Sequence, residues 1–269
     1  MLTFRLPTET EWETACRAGA SESEDYCKLA DGTQITASTL SKVARYGKGW
    51  DAGTVSVGSF LPNAWGLYDM HGNVWEWTDT ADGDDRVIRG GGFGNTAEGR
   101  VARYRNRFYP DYSLRDLGLR LAASGRTAAS TKEPEAAVRV SDGKQAARSV
   151  AASRSETVGA SSSSEPCVLD LGGGVTLEMV QCPGVAPDFW MGKYEVTQEQ
   201  WERVMGKNPS EFKGLKKPVE TVSWNDCRVF VEKLNARSDM KLAGLRFAIP
   251  TEAQWEYACR AGSRGNGTM

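Results

Sequence analysis

The sequence predicts an α+β domain made of short elements and packed loops, with little regular secondary structure. Nine Trp and 29 Gly residues are many for a chain of 269 residues, and this combination is typical of irregular, loop-rich domains. Apolar residues keep a helical or strand period only over short stretches, which indicates short helices and strands. The hydrophobic content of 40% is ordinary for a chain that buries a core.

The charge balance limits the classes of partner. The formal net charge of −2 removes any global electrostatic argument for binding nucleic acid or an anionic membrane, although local patches stay open. No stretch is apolar for long enough to span a bilayer, and the first six residues lack the pattern of a signal peptide. The sequence indicates no cellular compartment, so partners must be inferred from local sites.

A repeat lies near the two ends of the chain. Residues 6–19 read LPTETEWETACRAG, and residues 249–262 read IPTEAQWEYACRAG. In the first copy Thr8 follows Pro and is followed three residues later by Glu11, and Gln254 takes the place of Glu11 in the second. Both patterns predict a capping box that begins a short helix, which the Gly of the final Ala-Gly pair ends.

A polar stretch separates two segments of the chain. Residues 124–166 are rich in Ala, Ser, Thr, Lys, Arg and Glu and contain no aromatic residue. Such a stretch cannot bury enough apolar surface to offset its chain entropy, so we expect a disordered linker. The linker divides the chain into a first segment, residues 1–123, and a second segment, residues 167–269.

The second segment begins with strand-like patterns and continues with helices. Residues 175–180 and 189–196 predict strands, and a helix is expected from Thr197 to Val204. A further helix begins at Ser223, where Asp226 completes a variant of the capping box. Its apolar stripe, which we expect in the core, consists of Cys227, Phe230, Val231 and Leu234.

Seven motifs resemble signatures of the sulfatase-modifying-factor, or formylglycine-generating enzyme, family. They lie at 189–201, 218–226 and 249–258 in the second segment, and at 6–12, 62–77, 89–93 and 116–121 in the first. The second-segment motifs are similar to the front of the family domain and those of the first segment to its back. The resemblance implies an α+β domain with a C-type-lectin-like fold.

The order of the motifs is the reverse of the family order, because the back half precedes the front half. One explanation is a chain cut from a longer tandem array, which leaves two partial copies of the domain. The other is a permuted domain, in which the two halves complement each other and the linker joins the old termini. The duplicated helix and a C-terminal end without a recognisable stop favour the truncated array.

The loop at 69–76 is the strongest candidate for a metal site. Asp69 and Glu76 supply hard carboxylate oxygens on either side of a Gly-containing turn. The family resemblance implies a structural calcium ion bound by the side chains of Asp69 and Glu76 and by the carbonyls of Gly72 and Val74. The alternative is that the two carboxylates only cap a turn. His71 is expected to be a loop residue outside any zinc or catalytic site.

The family resemblance also implies a copper(I) ion held by two cysteines that follow an Arg-Gly-Gly motif. In this chain the matching positions are Asn95 and Arg100. Neither side chain can form a thiolate, so copper is not expected. Whether the chain is an enzyme stays open, but the missing pair favours a protein without catalytic activity.

A stretch rich in Arg and aromatic residues follows, in a region that the resemblance places on the ligand face. Its candidate ligand-binding residues are Arg100, Arg103, Arg105, Arg107 and Tyr109. On a strand, alternate Arg side chains would share one side. The stretch suits an anionic or sugar-like ligand, and nucleic acid is disfavoured. The alternative is a solvated basic face above packed aromatic rings.

The leading prediction is a family member that acts as a binding or accessory module for a protein or a small molecule. The first alternative is a formylglycine-generating oxidase that acts on a sulfatase cysteine and requires thiols from elsewhere. The second is an inactive gene fragment whose exposed core surface would promote aggregation.

Overall fold

The structure, a computed structural model, describes residues 3–21, 23–96, 102–124, 167–182 and 189–237. In these residues the chain forms two sheets, three α-helices and one short 3-10 helix at Leu40–Lys42. The strands are β1 (Thr3–Arg5), β2 (Trp75–Asp82), β3 (Asp85–Arg89), β4 (Arg105–Phe108), β5 (Leu117–Leu119), β6 (Ala122–Ser124), β7 (Cys167–Gly172), β8 (Val175–Gln181) and β9 (Phe189–Gly192). The helices are α1 (Glu9–Arg17), α2 (Gln198–Met205) and α3 (Trp224–Ala236).

Both segments contribute strands to the larger sheet. Its order is β1-β6-β9-β8-β7, and neighbouring strands are antiparallel. The first segment supplies β1 and β6, and the second supplies the other three strands. The junction is the pairing of β6 with β9, where Ala123 lies opposite Trp190. The smaller sheet has the order β4-β3-β2-β5 and belongs to the first segment.

Three of the four predicted helix starts are confirmed. Thr8 caps α1, and Glu11 completes the capping box through the backbone N–H of Thr8. Thr197 and Ser223 cap α2 and α3 in the same way. Local hydrogen bonds of this kind satisfy backbone groups that a helix start leaves free, which is why they can be predicted from sequence.

The main hydrophobic core also draws on both segments. Trp77 of β2 is fully buried, and its indole N–H donates to the carbonyl of Val222, 3.1 Å away. The indole of Trp224 donates in the opposite direction, to the carbonyl of Thr78 at 3.0 Å. Tryptophan buries a large apolar surface while its N–H needs an acceptor, so these two reciprocal contacts fix the segments against each other.

The predicted stripe of α3 faces this core. Phe230 stacks on Trp201 of α2 with ring centroids 5.0 Å apart. Cys227 and Leu234 are buried, and Val231 packs at the edge of the same cluster. Helix α3 packs against β1 of the first segment, whereas α2 packs on β7, β8 and α3 of the second.

Two predicted features lie outside the described residues. They are the linker, apart from Ser124 at the end of β6, and the second helix copy at 249–262. Among the described residues, no helix has the length and apolar composition needed to cross a bilayer.

Candidate functional site

A group of buried polar side chains lies where the two segments meet. We call Asp69, Asn73, Glu76, Arg120 and Glu195 the buried charge cluster; each is at most 2% exposed. Four of these residues come from the first segment, and Glu195 follows β9 in the second. Buried charges are costly unless they are paired and hydrogen-bonded, so their partners determine what this site can do.

The ion pair between Arg120 and Glu76 is the centre of the cluster. Arg120 Nη2 lies 2.7 Å from Glu76 Oε1, and Nε lies 3.0 Å from both carboxylate oxygens. The remaining guanidinium donors reach the carbonyl of Gly192 at 3.0 Å and that of Tyr68 at 2.8 Å. Glu76 also accepts the indole N–H of Trp12. The guanidinium therefore donates to Glu76 of β2, to Tyr68 just before the 69–76 loop, and to Gly192 of β9.

Glu195 is held by the amide groups of the 69–76 loop. Asn73 Nδ2 donates to Glu195 Oε2 at 2.7 Å, and the backbone N–H of Val74 donates to Oε1 at 3.3 Å. Burial, together with the charges of Asp69 and Glu76, raises the pKa of Glu195 well above its usual value. The second segment thus places a carboxyl group directly against this loop.

Asp69 is the least satisfied member of the cluster. Its Oδ2 accepts the backbone N–H of Gly58 at 2.7 Å, but Oδ1 is buried without a hydrogen-bond partner. Burial raises the pKa of this carboxyl group to about 6, with a smaller contribution from the charge of Glu76. Asp69 also has a φ of 60°, a left-handed conformation that Asp tolerates better than most residues.

Glu76, one of the four predicted calcium ligands, is held by other groups in this arrangement. Glu76 would have to leave a fully buried guanidinium, because both of its oxygens are engaged by Arg120 and Trp12. Within the described ranges, no three acidic, His or Cys side chains are grouped as metal ligands. Gly72 and Val74 lie in the same loop as Asp69, so the structure brings the predicted residues together but gives Glu76 another partner.

His71 lies in a turn of the 69–76 loop, as predicted, and is buried. Its Nε2 lies 3.4 Å from Cys16 Sγ and accepts the backbone N–H of Cys27 at 3.3 Å. Burial raises the pKa of the Cys27 thiol to about 12 and that of Cys16 well above its ordinary value. A thiol must ionise to act as a nucleophile or a copper ligand, so both cysteines are suited to packing.

Asn95 is fixed in a hydrogen-bond network. Its Oδ1 accepts the indole N–H of Trp75 at 3.1 Å and the backbone N–H of Gly92 at 3.0 Å. Its backbone carbonyl accepts from Gly47 at 2.8 Å. The other position matched to a copper cysteine, Arg100, lies outside the described residues.

Aromatic rings lie near Asn95, and we call Trp50, Trp75, Asn95 and Tyr104 the aromatic face. The ring of Tyr104 lies 5.9 Å from that of Trp75, which donates to Asn95. The ring of Trp50 lies 6.0 Å from that of Phe93. Trp50 is 48% exposed and Tyr104 is 44% exposed. Two partly exposed rings, those of Trp50 and Tyr104, thus pack on the neighbours Phe93 and Trp75 of the fixed Asn95 amide.

Three of the four predicted Arg residues of the ligand face, Arg103, Arg105 and Arg107, lie among the described residues; they are on the surface, and each has an acidic partner. Arg105 and Arg107 project from β4 and are more than 45% exposed. Their partners, and that of Arg103, are given by the ion pairs Arg103–Asp25, Arg105–Glu9, Arg105–Asp82, Arg107–Asp82 and Arg107–Asp85. Because these carboxylates neutralise the row, it offers less free positive charge than the sequence suggests.

Tyr109, the last predicted ligand residue, is the most exposed of the large hydrophobic residues among those described, at 67%. It follows β4 beside the stacked rings of Phe108 and Tyr112. Burial and geometry therefore separate the candidates into a paired Arg row, a protruding Tyr, and the aromatic face, which the sequence did not single out.

The sequence analysis also missed Arg120 and Glu195. A signal for Arg120 was present, because a charged residue inside the apolar run 117–121 must be paired if the run is buried. Glu195 gave a weaker signal, since one Glu between Tyr and Val is compatible with an exposed strand position. Only the fold brings this residue next to the 69–76 loop.

The family described as "Sulfatase-modifying factor enzyme 1-like domain" matches residues 2–125 and 128–267. The chain belongs to this family. The match covers both segments, and together with two sheets and three short helices it confirms the prediction of an α+β, C-type-lectin-like fold.

Similar proteins match only part of the chain. The formylglycine-generating enzyme of Mus musculus is 32% identical over 152 residues, which cover 44% of this chain and 39% of that protein. The inactive C-alpha-formylglycine-generating enzyme 2 of Bos taurus is 39% identical over 133 residues, 44% of each chain. The chain spans less than half the length of these relatives.

Among solved structures, Treponema denticola variable protein 1 is 34% identical. The match has a TM-score of 0.38 and covers 44% of this chain and 46% of that one.

Proposed function

We propose that this chain is a non-catalytic binding or accessory member of the sulfatase-modifying-factor family. The observation that carries the proposal is the state of Asn95, which stands where the family resemblance implies a copper-binding cysteine. The side-chain oxygen Oδ1 of Asn95 already accepts two hydrogen bonds, from Trp75 and from Gly92. An amide held in this way is a hard, neutral and poor ligand for a soft copper(I) ion.

The cysteines of the described residues offer no substitute for that pair. Cys16, Cys27, Cys182 and Cys227 are buried, and burial raises the pKa of each thiol. Cys167 is half-buried on an edge strand, and burial raises the pKa of its thiol as well. A copper(I) site needs two thiolates close together, and protonated thiols packed in a core do not provide them.

The aromatic face supports the binding part of the proposal. Trp50 and Tyr104 are nearly half-exposed, so each offers part of a flat ring to a ligand. Arg115 lies 5.8 Å from the ring of Trp50 and pairs with Glu211 at 3.3 Å, so the face combines flat apolar surfaces with a paired cation. Such a surface suits a sugar ring, an aromatic group or a peptide side chain on a small-molecule or protein ligand.

The test of the missing catalysis uses a sulfatase-type peptide with the sequence Cys-x-Pro-x-Arg. The chain is incubated with this peptide, copper, oxygen and a thiol reductant, and the peptide is analysed by mass spectrometry. We expect the cysteine mass to stay unchanged. Conversion of the cysteine to an aldehyde above a control without protein would contradict the proposal and restore the oxidase.

The test of binding uses arrayed oligosaccharides and peptides. For any probe that the wild-type chain captures, Trp50→Ala should reduce binding at least tenfold, because the ring would supply a main contact surface. Val168→Ala is the matched control, since Val168 is 56% exposed on the edge strand β7. Equal binding by the Trp50 variant, or no capture by the wild type, would contradict the assignment.

Calcium binding at Asp69, Gly72, Val74 and Glu76 stays a prediction of the family resemblance. Because Arg120 already neutralises Glu76, we expect millimolar calcium to leave the melting temperature of chelator-treated protein unchanged. A ligand that binds only the folded state raises that temperature. A rise in melting temperature with calcium that Glu76→Gln abolishes would therefore support the calcium site. It would contradict the expectation that Arg120 keeps Glu76 from binding the ion.

A further inference from the structure

Residues 3–19 are bound in a slot whose contacts a second stretch of the sequence could also make. We call residues 3–19 the N-terminal arm and residues 246–262 the C-terminal arm; they align without a gap. The positions at which they differ are Thr3, Arg5, Leu6, Thr10, Glu11 and Thr14 in the first, which become Arg246, Ala248, Ile249, Ala253, Gln254 and Tyr257 in the second.

The N-terminal arm is held by four side chains that form the slot: Asn63, Glu76, Arg89 and Asn235. Glu76 accepts the indole N–H of the buried Trp12. Asn63 Nδ2 donates to the carbonyl of Ala15 at 2.6 Å.

Arg89 and Asn235 complete the slot. The buried guanidinium of Arg89 pairs with Glu13 and lies 3.5 Å from Glu9. Asn235 of α3 bonds both backbone groups of Phe4, at 3.0 and 2.9 Å.

Every arm residue that the slot contacts is retained in the C-terminal arm. Its counterparts are Phe247, Glu252, Trp255, Glu256, Ala258 and Cys259, in place of Phe4, Glu9, Trp12, Glu13, Ala15 and Cys16. The apolar side chains, the acids and the indole donor are thus available twice in one chain. Since hydrogen bonds and ion pairs in a buried site discriminate strongly against missing partners, this retention predicts that the slot accepts either arm.

The substitutions between the arms avoid the slot. In the N-terminal arm, Arg5 pairs with Glu11 at 2.5 Å. Both members of this pair change together in the C-terminal arm, to Ala248 and Gln254, so neither charge is left unpaired. Gln also replaces Glu at the third helical position of a capping box without loss of the motif. Thr10 and Thr14, the other helix positions that differ, are partly exposed in the N-terminal arm.

The C-terminal arm is tethered within reach of the slot. Helix α3 ends at Ala236, and its Asn235 contacts Phe4 directly. Nine residues, 237–245, separate the end of this helix from Arg246. An extended chain of that length spans about 30 Å, whereas Phe247 would have to be placed where Phe4 lies against Asn235. The short tether gives the C-terminal arm a high effective concentration at the slot.

We infer that the C-terminal arm is a second ligand of the slot and exchanges with the N-terminal arm within one chain. When the C-terminal arm is bound, β1 leaves the larger sheet, and α1 no longer contacts Glu76. The aromatic face and the β6–β9 pairing do not use either arm, so they persist in both states.

The first test weakens one arm and asks whether the other arm then binds the slot. Hydrogen exchange of the full-length chain is measured by mass spectrometry for the wild type, Trp12→Ala, Trp255→Ala and the double variant. Trp12→Ala should move protection from residues 3–19 to residues 246–262, with a modest drop in melting temperature. The double variant should lose protection in both arms and melt much lower. Equal melting of Trp12→Ala and the double variant, with residues 246–262 unprotected, would overturn the inference.

The second test strengthens the C-terminal arm and leaves the N-terminal arm and the slot untouched, so loss of folding does not obscure it. Ala248→Arg combined with Gln254→Glu restores the ion pair of the N-terminal arm. Protection of residues 246–262 should rise and that of residues 3–19 should fall at least severalfold. Ala248→Arg alone is the matched control and should shift exchange less. Unchanged protection of residues 3–19 in the double variant would contradict exchange at a shared slot.

Discussion

Arg120 and the arginines of β4 belong to the same segment but do different work. Arg120 is 0% exposed and donates to Glu76, Tyr68 and Gly192. Arg105 and Arg107 are 47% and 56% exposed, and their partners are carboxylates of the first segment, such as Asp82. The buried guanidinium reaches the second segment, whereas the surface row stays within the first.

This difference shows that the buried charges, rather than the surface charges, depend on the correct fold. A surface ion pair is screened by water and contributes little, while a buried one must have all of its partners in place. Burial acts to lower the pKa of Arg120, but Glu76, Glu195 and Asp69 together raise it above its ordinary value. Arg120 is therefore a charged group that is satisfied only when Gly192 and Glu195 of the second segment are docked.

The largest expected effect is that of Arg120→Met. It leaves Glu76 buried without a cation, which typically costs about 3 to 5 kcal/mol. The free energy of unfolding, measured by urea denaturation, should fall by this amount. Adding Glu76→Gln to the variant should recover part of the loss, because the amide carbonyl still accepts from Trp12 and carries no charge. A loss below about 1 kcal/mol for Arg120→Met would show that the cluster does not hold the segments together.

A smaller, pH-dependent effect is expected at Asp69. Its pKa is raised from 3.8 to about 6 in the folded protein. A carboxyl group of this kind favours the folded state when protonated, so its contribution is present below about pH 4 and is lost as the pH rises through about 6. In chelator-containing buffer, the free energy of unfolding of the wild type should fall by up to about 3 kcal/mol between about pH 4 and pH 6, and Asp69→Asn should not show this fall. Parallel pH profiles for the variant and the wild type would contradict the raised pKa.

The smallest effect is expected at the surface row. Arg107→Ala removes ion pairs with Asp82 and Asp85, and the free energy of unfolding should change by at most about 1 kcal/mol. The change in the free energy of unfolding should be smaller still in 0.5 M salt, because the electrostatic screening length there is about half its value at physiological ionic strength. A loss as large as that of Arg120→Met would remove the distinction between the two kinds of arginine.

Features that depend on neighbours in sequence could be predicted. The caps at Thr8, Thr197 and Ser223 follow from residues three positions apart, and all three are present. The stripe of α3 follows from helical periodicity, and its central residues Cys227 and Phe230 are buried. These interactions close within one helical turn, so no knowledge of the rest of the chain is needed.

The candidate site could be predicted only in part, because its contacts join distant positions. Asp69, Asn73 and Glu76 were visible as a polar loop, but their partner Glu195 is more than a hundred residues away in sequence. Glu76 was predicted as a metal ligand for the same reason, since the 69–76 loop alone does not show that Arg120 neutralises it. The pairing of β6 with β9 likewise crosses the predicted linker.

The most direct test of the account asks whether the two segments form one folded unit. A specific protease site is introduced into residues 124–166, the predicted linker, and the full chain is cut there under native conditions. Because β6 pairs with β9, and Arg120 and Trp77 bond to the second segment, the two fragments should co-elute as a 1:1 complex with a single melting transition. Fragments that separate on cleavage, or that melt independently, would contradict the account.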